Sequence, residues 1–387
     1  MRKQRLRDNI AGYLFTGPAL ILIGIFSIFP VFFTVYVSLF KWRPNGPAGF
    51  LGLGNYVEMF GGNPLWLLLT LASIGGFVLA AFLLRSRRGA AGKALGLAGG
   101  IGVLAASLVA FVVALPYLVA QGDKEVFDSI RVTIWYSIGT VPIQLAAGMV
   151  LAVLLNQKVA GRQAFRVVYL IPYIAPAVAT AAIFELLLSL RTDSFANQLL
   201  GLFGAQPLQW LQEPRGIFQM LSGAAAYGPA PAMGVIPAYW SEWAQGPSLA
   251  MGSIIIYSWW VFIGYYSLLY LNGLSNIPRQ LYEAAEVDGA GKLRSFFSIT
   301  VPLLSPTTYL LTILGVMGTF KAFTHIFVLR HAAAAGTVDP VSVSIFFTYF
   351  RKSRLGYASA VSMLLFAIVL GLTVLQRRTE KRLEYGD

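Results

Sequence analysis

The segment Glu283–Pro306, EAAEVDGAGKLRSFFSITVPLLSP, sets Glu283, Glu286, Asp288, Lys292 and Arg294 between two long apolar runs. A helix needs about 20 apolar residues to cross the hydrocarbon core. The flanking runs, 249–272 and 307–329, meet that length, so the charged segment reads as a loop between two membrane spans. Six further runs qualify, at 12–40, 65–84, 95–120, 132–155, 167–190 and 357–376. The chain is 57% hydrophobic and 12% charged, with a mean hydropathy of +0.68. Soluble domains carry roughly 25% charged residues, so composition and span count agree on an all-α integral membrane protein of about eight helices.

Charge assigns the sides. Arg2, Lys3, Arg5 and Arg7 precede an uncharged run from Ile10 to Phe40, too long for the apolar core of a cleaved leader, so a retained first span is expected. Arg85, Arg87, Arg88 and Lys93, then Lys158, Arg162 and Arg166, then Arg377, Arg378, Lys381 and Arg382 fall on the same side. Lys and Arg accumulate on cytoplasmic loops, which places both termini in the cytoplasm. Arg351, Lys352 and Arg354 fall on the opposite side, beside VSVSIFFTYF. An interfacial helix whose cations meet lipid headgroups is the expectation there.

The plan divides into a first span with its external segment (1–64), an added two-span hairpin (65–120), a core (121–376) and a cytoplasmic tail (377–387). Within the core, 191–247 is a long external loop that reads as a small cap, and 277–306 is a cytoplasmic loop.

Composition and motif exclude several chemistries. The net charge of +13 follows from topology, and no basic stripe interleaved with aromatics points to nucleic acid. No cysteine is present, so disulfides and thiolate chemistry are excluded. The only histidines are His325 and His331, and no zinc-binding H-E-x-x-H occurs, so neither metal nor catalytic residues are expected. GAGK within the opening segment fails as a phosphate loop. G-x-x-x-x-G-K-[ST] requires glycine at Glu286 and a hydroxyl at Leu293.

Local signals make the segment a docking element instead. Pro278 opens a helix, Gly289–Gly291 break it, and Pro302 and Pro306 close a second helix before the next span. Tyr282, Ala285, Phe296 and Ile299 offer an apolar stripe, and the small residues between admit close approach of a partner.

These residues resemble the EAA motif of ABC-importer permeases, EAA-xxx-G-xxxxxxxxx-I-x-L-P. Glu283, Ala284, Ala285, Gly289, Ile299 and Pro302 match, and Val301 stands for leucine. Asp288, Gly289 and Ala290 match the DGA version of the sugar-type (maltose and glycerol-3-phosphate) permeases. FLGLGNYVEMF (50–60) and residues 141–179 resemble other parts of that family, whereas HAAAAGTVDP replaces its usual glycine–glycine–proline. The resemblance implies a cell-membrane subunit that pairs with a second permease, docks on a cytoplasmic ATPase dimer and receives carbohydrate from an extracytoplasmic solute-binding protein. ATP and magnesium would lie on the ATPase subunits, with no cofactor on this chain. Glu283 would pair with a basic ATPase residue, and Gly289 would permit the sharp turn. An importer for glycerol-3-phosphate or another polar solute, and a stand-alone secondary transporter, are the alternatives.

Polar residues inside spans suggest a pathway. Glu185 and Lys321 are ionisable at depths where charge is costly. They are candidates to pair, or Lys321, Thr324 and His325 to form one polar face. Gln144, Asn272, Tyr265 and Tyr266 supply the hydrogen-bonding and aromatic groups that sugars favour, although aromatic belts at membrane interfaces use the same residue types.

Overall fold

The computed structural model describes residues 13, 15–85, 90–157, 161–223 and 234–380. The basic positions Arg2, Lys3, Arg5, Arg7, Arg87, Arg88, Lys158, Lys381 and Arg382 lie outside them. Apolar runs without a buried partner strand form helices, because lipid offers no hydrogen bonds and the helix satisfies its own backbone. Helix α1 (Phe15–Ser38) contains a π-helical turn at Gly24–Ile28. A small antiparallel hairpin follows, β1 (Phe40–Arg43) with β2 (Gly46–Phe50), a departure from purely helical structure. Then come α2 (Gly54–Phe60), α3 (Pro64–Arg85), α4 (Ala90–Gln121) and α5 (Lys124–Asn156).

The expected span at 167–190 is not one rod. It is α6 (Arg162–Ile174) and α7 (Ala177–Leu187), bent by 94°. Pro176 explains the break: the residue before proline is forced from helical to extended backbone, and Ala175 has ψ 148°. Short helices α8 (Phe195–Gly201), α9 (Ile217–Leu221) and α10 (Val235–Ala244) occupy the 191–247 loop. The long α11 (Leu249–Ser275) leads to α12 (Arg279–Val287), α13 (Lys292–Leu303) and α14 (Ser305–Phe320), the last two bent by 64°. The expected span at 307–329 also stops short, at Phe320. It restarts as α15 (Thr324–Leu329), and Ser342 Oγ donates to the freed carbonyl of Ala322. Finally α16 (Val341–Phe350) precedes α17 (Leu355–Glu380). Among the described residues six helices are long and apolar enough to cross a membrane, and counting each bent pair as one span raises the number to eight.

Parallel helices α5 and α11 form the centre. Gly139 and Gly148 of α5 let α11 approach closely: a Cβ on them would stand 2.6 Å from Ile255 Cδ1 and 2.8 Å from Tyr266 Cβ. Small residues bring membrane helices into dispersion contact, which must replace the hydrophobic drive that lipid does not supply. Gly264 of α11 is tighter still, since its Cβ would lie 1.9 Å from the Tyr169 carbonyl oxygen of α6. Around this pair one core cluster includes Tyr136, Ile254, Tyr257 and Ile326, and another includes Ala152, Tyr270, Leu304 and Leu311. Large apolar side chains on α1, α3 and α6 face outward, as lipid or a further subunit requires.

The bundle has two distinct ends. Tyr357 Oη donates to Asp123 at 2.5 Å, and Lys124 meets Glu242 at 3.2 Å. The starts of α5 and α17 and the helix α10 therefore share one end. Leu155 and Leu274 pack together at the other, where α12 and α13 lie. The α16 expectation needs correction. Val341, Val343, Ser344 and Thr348 are buried, and the Val341 amide donates to Thr133 Oγ1 at 3.1 Å, so α16 is a bundle element. Its basic neighbours Lys352 and Arg354 pair with Glu125 and Glu58, while the Arg351 guanidinium lies over the Phe347 ring.

Candidate functional site

The α12–α13 loop is built by its own sequence. Helix α12 ends in a left-handed turn at Gly289, φ +76°. The Ala290 amide donates to the Ala285 carbonyl at 2.8 Å and the Gly289 amide to that of Glu286 at 3.0 Å. This pair of bonds is the Schellman closure, which satisfies the last carbonyls of a helix and calls for glycine at the left-handed position. Apart from the residue itself and its chain neighbours, no heavy atom of the described residues lies within 4 Å of a Cβ built on Gly289. Its requirement is therefore conformational and not one of space.

Beyond the turn, Lys292–Ser295 run into a π-helical stretch, Phe296–Thr300, and Tyr282 Oη shares a 2.9 Å hydrogen bond with Thr300 Oγ1. The loop thus becomes a bracket of two helices. A groove of 260 Å³ between its arms is lined by Ala285, Asp288, Ala290, Arg294, Ser295, Ser298 and Ile299. Glu283, Ala284 and Pro302 are exposed. Glu283 pairs along its own helix with Arg279 at 3.0 Å. Val287, Leu293 and Phe297 are also exposed, which makes the bracket an apolar surface rimmed by charge.

The second candidate region lies deep in the bundle. Tyr136 Oη shares hydrogen bonds of 2.8 Å with both Ser258 Oγ and His325 Nε2. Gln144 Nε2 donates to the Ser258 carbonyl at 3.1 Å. His325 stacks on Tyr257, whose hydroxyl shares a 2.8 Å bond with Thr180. The structure therefore brings Gln144 and His325 onto one buried network with Tyr136 and Ser258, which sequence reasoning did not single out. A signal was present. Ser129, Thr133, Ser137, Thr140 and Gln144 recur every three or four residues in α5 and are all buried, a polar stripe on one helical face.

The other pathway candidates are scattered. Tyr265 stacks on Tyr173 with ring centroids 4.3 Å apart, and Tyr266 is buried against α5 and Gly315. Asn272 is exposed near the α12 end. Glu185 does not pair with Lys321; its partner is His331, at 3.3 Å. Lys321 lines a separate recess with Met317, Phe366 and Thr373. Thr324 is exposed where His325 is buried, so these residues do not form a single polar face with Lys321.

A multi-pass helical bundle with a helix–turn–helix bracket at one end and buried polar groups between its central helices has the form of a membrane transport subunit. Comparison with known proteins gives the family. Residues 144–385 match the model of the binding-protein-dependent transport system inner membrane component, and the chain belongs to that family. A trehalose/maltose transport system permease protein, MalF, of Thermococcus litoralis is 30% identical over 67% of this chain and 76% of its own. A probable ABC transporter permease, YurN, of Bacillus subtilis is 24% identical over 96% of both chains. The solved structure of a bacterial ABC transporter for import of the acidic polysaccharide alginate aligns with a TM-score of 0.62, at 17% identity and over 98% of each chain. That likeness extends over the whole fold.

Proposed function

We propose that this chain is the permease subunit of an ATP-driven importer of carbohydrate, with the α12–α13 bracket as its ATPase-coupling element. The observation that carries this reading is the Schellman-closed bracket at one end of the bundle, with Val287, Leu293 and Phe297 exposed on it, in a chain of the binding-protein-dependent family. A short helix presenting a mixed apolar and charged face fits a groove on a partner. In this reading the α12 end faces the cytoplasm and meets a dimer of ATPases, which hold the ATP and magnesium. Both termini lie on that side. The solute-binding protein delivers its cargo at the opposite end, near α10. The outward apolar face of α6, with Val167, Val168 and Ile171, suits a second, related permease subunit.

The names of the trehalose/maltose relative and of the alginate importer favour a carbohydrate. Stacked aromatic faces such as Tyr173 and Tyr265, together with hydrogen-bonding groups around Gln144 and His325, suit sugar rings. Rocking of α11 and α14, the two helices that the bracket joins, would transmit nucleotide-driven closure to this centre. The chain itself carries force and half of a pathway.

Purification of the tagged chain from its native membrane tests the reading. An ATPase, a second permease and a binding protein are expected to accompany it, and ATP is expected to drive sugar uptake in reconstituted vesicles. Uptake driven by an ion gradient without an ATPase would overturn it.

A further inference from the structure

At the end opposite the bracket, the two extremities of the fold meet in a recess of 560 Å³. It is lined by Lys41, Trp42 and Arg43 from β1, by Lys352 and Arg354 from the α16–α17 junction and Tyr357 of α17, and by the Glu58 carboxylate of α2. The Phe40 carbonyl oxygen would lie 2.0 Å from a Cβ on Gly356, so the strand is seated directly against the start of α17. Strand alternation puts Lys41 and Arg43 on one exposed side and Phe40 and Trp42 on the other. The cations are not equivalent. Lys352 pairs with Glu125 and Arg354 with Glu58, and the Arg354 guanidinium also covers the Tyr357 ring, 4.3 Å from its centroid. Among the described residues neither Lys41 nor Arg43 has a carboxylate partner. Two unspent positive charges thus stand beside a frame whose own charges are neutralised.

The junction is also held in an unusual conformation. Ser353 has φ +53°, the one positive φ outside glycine among the described residues. The Arg354 amide donates to the Thr348 carbonyl at 3.1 Å, six residues back, so the left-handed turn at Ser353 is tied to the last turn of α16. A non-glycine residue there is uncommon and marks a constrained turn.

The surroundings identify the occupant. Trp42 packs edge-on against Phe33, which stacks on Phe29 and Tyr36 along the outward face of α1. Phe50, Leu53 and Phe350 expose more apolar surface beside the recess. This aromatic ladder leads from the lipid-facing wall of a span to the strand that carries the free cations, as at a membrane–water boundary. A soluble anion would need the charges and not the apolar approach.

We infer that this recess binds the phosphate of an anionic phospholipid headgroup, with Lys41 and Arg43 as its cations and the α1 aromatics along its acyl chains. The site ties the first span to the last at the end opposite the bracket.

The test uses the chain in the assembly it forms, purified in detergent, stripped of lipid and titrated with phosphatidylglycerol or phosphatidylcholine. Bound lipid is counted by native mass spectrometry. Phosphatidylglycerol is expected to bind in preference. Lys41→Gln with Arg43→Gln is expected to weaken it about 25-fold, roughly fivefold for each cation near a membrane surface. The charge-preserving exchange Lys41→Arg with Arg43→Lys should retain binding, and Arg191→Gln, at an exposed cation paired with Asp193, should not alter it. An unchanged thermal midpoint in the double Gln variant would assign its loss to the site. Three results would each overturn the inference. One is equal lipid binding by the double Gln variant. Another is displacement of the lipid by millimolar inorganic phosphate. The third is a double Gln variant that keeps lipid but loses its binding protein.

Discussion

Gly289 and Ser353 both take left-handed backbone just past the end of a helix, one with the residue that such a turn favours and one without it. In a left-handed turn a Cβ meets the following carbonyl, at a cost of about 1–2 kcal/mol. Asparagine tolerates this better than other side chains, and a β-branched residue tolerates it least. Gly289→Asn is therefore expected to keep most ATP-driven uptake, whereas Gly289→Val should lose most of it with unchanged membrane insertion. Uptake rates normalised to inserted protein check the ranking. The glycine and its spacing from Glu283 were legible in the sequence, because a Schellman closure involves only residues within six positions. Ser353 was not, since serine has no marked preference for that turn and nothing local announces it.

Among the elements, α10 is attached to the bundle in part by a charge cluster. Glu242 bonds to Arg131 and to Lys124, and Arg131 also meets Asp128 at 3.0 Å. Burial alone would raise the Glu242 pKa. The hydrogen bonds and charges of Arg131 and then Lys124 outweigh it and hold the carboxyl below its usual 4.5. A carboxylate with a depressed folded pKa contributes stability above its unfolded pKa, and that stability is lost as pH falls through the folded value. Amide exchange in α10 is expected to be flat from pH 8 to about 5, once corrected for intrinsic rates, and to accelerate below about pH 4. Glu242→Gln should raise exchange throughout and flatten the acid response. Hydrogen-exchange mass spectrometry reads both. Element boundaries were less legible than element existence. Hydropathy marked 167–190 and 307–329 as spans, but the first breaks at Pro176 and the second at Lys321–Phe323, where Ser342 accommodates a freed carbonyl.

For the whole molecule, the α3–α4 hairpin enters and leaves the fold at nearly one point. The Asp123 amide donates to the Met59 carbonyl at 3.0 Å, and Gly61 lies against Gln121. An insertion with adjacent ends can be removed without redirecting the chain. Replacing 62–121 by a short glycine linker is expected to leave insertion and assembly intact. The same deletion removes the Val112 carbonyl, to which Trp240 Nε1 donates at 3.0 Å, so α10 should become more open to protease. Co-purification and limited proteolysis of the deleted form check the two halves of this expectation. Loss of assembly would show the hairpin to be part of the working core.

By itself the sequence determined the eight apolar segments and the helix–glycine–helix bracket, because each depends on hydropathy or turn chemistry summed over neighbouring residues. Only the tertiary structure decided which polar groups meet. Tyr136 reaches His325 across 189 residues, and Arg354 reaches Glu58 across 296. Glu185 finds His331 and not Lys321. The physical reason is that a polar side chain in a span takes whichever partner the packing brings within about 3 Å. That packing is set by glycines such as Gly139, Gly148 and Gly264, whose effect depends on the opposing helix.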